Sequence, residues 1–311
     1  MTEKEFDSSI PPKQEREQNI LNLGQKEMID NMTLIIPDND GEAHMAIEIA
    51  KKLGMDVRIS SQAWGARLDR EIDNNPNILV NSKTTILLFE MPSKEIEEKM
   101  RKTGVSIEII DHHQYRDDDR SKEASSLEQF LERLNLSDEQ LKKLGFNIRF
   151  IMGISINDKA YIFGLREAGY SDDEIIKIRE YDIKTQLKEK YEEALKRNEE
   201  IYANRILEGN VVILETIDGD SSTIVGDKIT LDNPDKVPQL LDLRRNKEGK
   251  ISFIYFSGPT EIAKILKGKG NPTFGGSGKT EKLSDFVGWV NPTQEQIEEI
   301  KKVLKIMDYH I

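Results

Sequence analysis

The 311-residue chain contains no cysteine. Disulfides, thiolate nucleophiles and cysteine-ligated zinc are therefore excluded. It has only four histidines, so imidazole chemistry rests on very few positions. Cations are outnumbered: 45 Lys and Arg stand against 57 Asp and Glu, a net charge of −12. A broad, sequence-independent grip on duplex DNA needs many cations, and this balance argues against one. An acidic protein can still act on phosphates where bound metal ions invert the local charge. Long apolar runs are missing as well, so no stretch is expected to span a membrane. Met1–Glu5 carries acids and has no apolar signal core, from which a cytoplasmic location is expected.

Apolar residues make up 37% of the chain and charged residues 33%, enough for cores at a length that suggests two domains. Residues 1–30 read as an N-terminal arm, polar around Pro11-Pro12, with a short helix over Glu15–Ile29. Thr33–Pro37 is a buried strand that runs into Asp38-Asn39-Asp40-Gly41. The following Glu42–Gly54 has apolar residues at helical spacing, and His44 falls one turn after Asp40. Taken alone, Asp40 reads equally well as the cap of that helix. Met55–Ser60 is a second strand and Trp64–Asn75 a polar helix. Thr84–Phe89 is a third strand, ending in Glu90-Met91-Pro92. Lys94–Thr103 is a charged helix, and Ile107–Ile110 then delivers Asp111-His112-His113, half of the chain's histidines.

Three strands thus end in acids: Asp38 and Asp40, Glu90, and Asp111 with its two imidazoles. In a parallel sheet such ends lie along one edge and converge. Crowded carboxylates repel unless cations hold them. Oxygen ligands mixed with imidazole suit Mn²⁺ or Mg²⁺. Further on, Ser125–Leu136 and Ser137–Leu144 are helical, and the apolar Ile148–Ile156 ends in Asn157-Asp158, one more acid after an apolar segment. Asp172–Tyr202 reads as one long charged helix whose default is a solvated face. Val211–Glu215 and Lys250–Phe256 are strands. Gly275-Gly276-Ser277-Gly278-Lys279-Thr280 ends like a nucleotide-triphosphatase loop. The spacing fails, because the required glycine five positions before Gly278 is Thr273.

Asp38-Asn39-Asp40-Gly41, Glu90, Asp111-His112-His113 and Asp158 resemble, in order and approximate spacing, the four motifs of the DHH phosphoesterases. Residues 206–311 resemble the accessory domain of that family's nucleases, with Gly275, Gly276, Ser277, Gly278 and Lys279 at its glycine-rich substrate loop. The resemblance implies an α/β chain: a mostly parallel-sheet domain over 31–180, a helical linker over 181–205 and a smaller α/β accessory domain over 206–311. It implies a Mn²⁺- or Mg²⁺-dependent phosphodiesterase or exonuclease acting on single-stranded or short nucleic acid, or on a dinucleotide. Metal ligands would be Asp38, Asp40, Glu90, His112 and Asp158. His113 and Asp111 would be catalytic, Asp111 orienting His112, and the loop together with His44 would contact substrate. The chain departs from the family where Leu34 and Ile36 replace a histidine and an acid before the first motif, where Glu90 replaces Asp, and where the family's loop ends in a histidine but here Lys279 or Ser277 stands. The alternative is a catalytically weakened scaffold or binding subunit with protein partners in a nucleic-acid-processing complex.

Overall fold

The centre of the first sheet is β1 (Met32–Pro37), in which every residue is buried. A parallel strand covered on both faces reads as a near-continuous apolar run. The exception, Thr33, donates its hydroxyl to Asp56 at 2.7 Å. The computed structural model describes residues 20–63, 65–115, 119–276 and 283–306. It divides into two units, Met1–Ser155 and Ile156–Ile311.

In the first unit, α1 (Leu23–Asp30) precedes β1 and starts at a capping box made by Asn22 and Gln25. It begins later than the expected Glu15–Ile29, and residues 1–19 lie outside the described ones. There follow α2 (Gly41–Lys52), β2 (Asp56–Ser60), α3 (Leu68–Asn74), β3 (Thr85–Phe89), α4 (Lys94–Lys102), β4 (Ser106–Ile110), α5 (Ser126–Arg133) and α6 (Asp138–Lys143). The strands lie in the order β2-β1-β3-β4, all parallel. Ile35, Ile86, Leu88 and Ile107 face α3 and α4 through Leu68, Ile72, Ile96 and Met100. Alternation turns Leu34, Ile36, Leu87 and Phe89 to the other face. There Phe89 meets Phe130 of α5 edge to face, ring centroids 6.4 Å apart, a contact worth about 0.5–1.5 kcal/mol beyond its burial. Chain order reverses between neighbours β1 and β3, so the crevice at their carboxyl ends is the topological switch point, where open α/β sheets bind ligands.

Helix α7 (Ile148–Glu167) carries the chain past the division at Ser155. The apolar segment read as ending at Asn157-Asp158 is therefore helical throughout. The helix breaks at Tyr161, which holds φ 56° and ψ −157°, a region that costs an L-residue about 1–3 kcal/mol. The Tyr161 hydroxyl donates to Asp227, and Arg179 lies over its ring at 4.8 Å. The charged stretch expected as one solvated helix is α8 (Asp172–Leu187), a 3₁₀ turn over Lys188–Lys190 and α9 (Tyr191–Ala203), with Lys188 at φ 50°. Its inner side is buried at Ile175, Ile178, Arg179, Asp182 and Ile183. Arg179 donates from Nη1 to Asp182 at 2.6 Å and to Asn157 at 3.1 Å, and from Nε to Asp227 at 2.8 Å.

The remaining elements are β5 (Ile206–Glu208), β6 (Val211–Ile217), α10 (Thr223–Leu231), β7 (Gln239–Arg245), β8 (Ile251–Pro259), α11 (Thr260–Gly270), β9 (Phe274–Gly275), β10 (Ser284–Val290) and α12 (Gln294–Leu304). They form a mixed six-stranded sheet, β5-β6-β7-β8-β10-β9, in which β6 and β7 are the parallel pair. With six strands to the first sheet's four, residues 206–311 are the smaller region in length of chain but not in sheet. One face packs Ile213, Leu241, Ile254, Phe256, Val287 and Trp289 against α11 and α12. The other packs Val212, Leu214 and Leu240 against α9 and α10. Among the described residues no helix is long and apolar enough to cross a membrane.

Candidate functional site

The carboxyl ends of β1, β3 and β4 gather four buried acids in the first unit: Asp111 at 0% exposure, Glu42 at 1%, Asp40 at 2% and Glu90 at 5%. Buried carboxylates are costly unless protons, hydrogen bonds or cations compensate them. Asp40 is the N-cap of α2 and accepts from the Ala43 N–H at 2.8 Å. Glu42 accepts from the Ser126 and Leu127 N–H groups at the start of α5, both at 3.2 Å. That carboxylate thereby satisfies two donors that a helix start leaves without intrahelical partners. Asp111 accepts from the His113 main-chain N–H at 2.9 Å, and its Oδ1 stands 3.1 Å from His113 Nδ1. Gln129 of α5 grips the Asp111 backbone, donating to its carbonyl at 3.0 Å.

Glu90 follows β3 directly. Its φ is 53°, a left-handed value uncommon for any residue but Gly, Asn or Asp. Its N–H donates to the Ile110 carbonyl at 2.8 Å. Backbone strain of this kind concentrates at functional sites. The Glu90 carboxylate stands 3.6 Å from His112 Nε2 and 3.9 Å from His113 Nδ1. The two imidazoles lie 4.4 Å apart between centroids. One ligand atom from each of Glu90, His112 and His113 lies within 4.8 Å of the other two. At 3.6 Å, Glu90 and His112 Nε2 are too far apart for a hydrogen bond, but the separation suits two ligand atoms that each reach one ion at about 2 Å. A carboxylate with an imidazole is a mixed hard and borderline donor set.

Asp38 takes a different partner. Its Oδ1 lies 2.9 Å from His44 Nδ1, and His44 Nε2 lies 3.9 Å from Glu48. Asp158 is on α7 in the second unit, one turn before the break at Tyr161. The structure therefore brings Glu90, His112, His113 and Asp111 together, pairs Asp38 with His44, and sets Asp40 on its own helix. Asp111 was expected to orient His112; the contact observed is with His113. Leu34 and Ile36 are both wholly buried core residues of β1. Gly275 ends β9 and Gly276 follows it, whereas Ser277, Gly278 and Lys279 lie outside the described residues.

Two residues were not singled out in the sequence. Glu42 lies 3.7 Å from His112 Nε2. Its signal was an acid on the helix face otherwise defined by Ala46 and Ile49. Tyr115 packs its ring 6.2 Å from His113, with Arg67 5.6 Å over its face. Burial, then the charges of Asp111 and Glu90, push the Tyr115 phenol well above its ordinary pKa, so the hydroxyl stays a proton donor beside Asp111.

No protein-family model and no curated protein matches the chain. Among solved structures it is similar to an exonuclease RecJ bound to manganese, at 9% identity and a TM-score of 0.43, covering 96% of this chain and 94% of that one. It is also similar to PggH, a pGpG-specific phosphodiesterase from Vibrio cholerae, at 10% identity and a TM-score of 0.42, covering 88% and 97%. A RecJ in complex with Mg²⁺ from Thermus thermophilus gives 11% identity and a TM-score of 0.42, covering 94% of this chain and 51% of that one. These structures lend no residue roles to this chain.

Proposed function

We propose that the chain is a divalent-metal-dependent phosphodiesterase acting on single-stranded or short nucleic acid or on a dinucleotide. The observation that carries this reading is the approach of Glu90, His112 and His113 at the carboxyl ends of neighbouring parallel strands. In this reading Glu90 and His112 hold Mn²⁺ or Mg²⁺, with Asp38, Asp40 and Asp158 as further oxygen ligands. Such an ion polarises a phosphoryl oxygen and lowers the pKa of a bound water. Asp111 keeps the Nδ1 side of His113 engaged, which leaves Nε2 to meet a phosphate oxygen. Glu42 braces the start of α5 beside His112. The glycine-rich loop at Gly275–Lys279 holds a phosphate that is not being cleaved, with Lys279 as its charge.

A second reading, a scaffold with weakened catalysis, draws on the apolar Leu34 and Ile36 and on the use of Asp40 as a helix cap. One assay separates the two. Oligonucleotides labelled at the 5′ or 3′ end, linear dinucleotides and cyclic dinucleotides are incubated with Mn²⁺, Mg²⁺ or EDTA. Hydrolysis in Mn²⁺ that EDTA abolishes is expected. No hydrolysis of any substrate in either metal would leave the scaffold reading.

A further inference from the structure

The second sheet has a half-covered face. Helices α9 and α10 pack over β6 and β7, while β8, β10 and β9 continue beyond them. On this continuation the register sets Arg244 beside Phe253, Tyr255 beside Gly288, Phe286 beside Ser257, and Phe274 beside Gly288. Paired residues of neighbouring strands share a face. Four aromatic rings therefore collect on one side of three strands. Phe253 and Phe274 are stacked at 5.7 Å and 21°, Tyr255 and Phe286 lie 6.0 Å apart, and Phe274 and Phe286 6.5 Å apart. Gly288 makes the cluster possible: a Cβ there would stand 2.0 Å from the Phe274 ring.

Phe274 and Phe286 are 37% and 39% exposed, and they are the exposed phenylalanines among the described residues. In a chain only 6% aromatic, their placement as neighbours on one face is not a matter of composition. One cation lies beside the rings: the Arg244 guanidinium is 4.7 Å over Phe253 and 3.3 Å from the Asp242 carboxylate. An aliphatic partner would be met by aliphatic side chains. Exposed ring faces with a guanidinium beside them match a ligand that alternates flat π surfaces with anionic links.

We propose that this aromatic half-face is a stacking surface for the unpaired bases of a single-stranded nucleic acid, with Phe274 and Phe286 as the contacting rings and Arg244 serving a phosphate beside them. The choice of ligand class rests on the phosphodiesterase reading; the rings and the Arg244 guanidinium are independent of it. Base stacking on an aromatic side chain is worth about 1–3 kcal/mol per base, which is roughly tenfold or more in affinity.

The test is binding by fluorescence anisotropy in EDTA, so that no bond is cut, using a fluorescein-labelled oligothymidylate and a same-length abasic sugar-phosphate strand. The native protein is expected to bind the base-bearing strand at least about tenfold tighter than the abasic one. Phe286→Ala, Phe286→Leu and Phe274→Ala should each lose about that factor on the base-bearing strand and nothing on the abasic strand, whereas Phe286→Tyr should retain native affinity. Thermal unfolding midpoints establish that each variant is folded. Equal binding of the two strands by the native protein, absence of binding, or native affinity in Phe286→Leu would overturn the proposal. A failure of hydrolysis, read in the separate metal assay, leaves this result unchanged, and the reverse also holds.

Discussion

One carboxylate, that of Asp111, takes the main-chain N–H of His113 at 2.9 Å and stands 3.1 Å from its Nδ1. Backbone and ring of His113 are thus fixed by the same wholly buried group. Partners that orient a functional imidazole typically matter by about 10–100-fold in activity or metal affinity. Asp111→Asn retains an oxygen for the N–H but loses the charge. It is expected to lower kcat on an oligonucleotide by at least about tenfold, while KM moves little. Steady-state kinetics in Mn²⁺ check this, and an unchanged kcat would remove His113 orientation from the account.

The Arg179 cluster gives a stability prediction. Arg179 is buried between Asp182 and Asp227 and bonds to both. Removing one partner of a buried pair leaves an uncompensated charge, at a cost of about 3–5 kcal/mol. Arg179→Ala should therefore lose about that much in urea unfolding, and Arg179→Lys less, because it keeps the charge without the fork of donors. A loss under about 1 kcal/mol for Arg179→Ala would mean that the cluster is not held by its arginine.

A pH dependence follows from Asp242 on β7. Burial, the largest influence, raises its carboxyl pKa above the ordinary value despite hydrogen bonds from Thr216 and Ser222. A carboxyl raised on folding contributes stability that is full below its unfolded pKa and is lost as pH rises through the folded one. Asp242→Asn carries no such loss. The difference in unfolding midpoint between Asp242→Asn and the native protein should therefore shift in favour of the variant as pH rises from about 4 to about 7. Thermal melts across that range test it; a difference that stays constant, or shifts the other way, contradicts it.

The first unit was more legible in sequence than the second. A parallel strand buried on both faces is a short apolar run, so β1 and β3 and the acids after them could be read directly, and the edge strand β4 by its isoleucines. Glu90 was visible as a strand-end acid. Its positive φ and its approach to His112 were not, because they depend on neighbouring strands. Glu42 was hidden because an acid in a first helical turn usually means a favourable dipole interaction with solvent access, whereas here α5 covers it. In the second unit, β7 and β10 carry Asp242, Arg244, Asp285 and Gly288 within the strands, which masks their alternation. The break at Lys188 leaves no mark in a run of charges that favours helix on either side.

The central claim is that Glu90 and His112 hold a divalent cation, and direct metal binding tests it without reference to any substrate. Mn²⁺ is titrated into the protein and the free-ion electron paramagnetic resonance signal is followed, for the native chain, for Glu90→Gln and for His112→Ala, with circular dichroism to establish folding. Depletion of the free-ion signal by the native protein, and an affinity weakened at least about tenfold in each variant, is the predicted result. Native and variant proteins that deplete the signal equally, or a native protein that leaves it unchanged at millimolar Mn²⁺, would contradict the account.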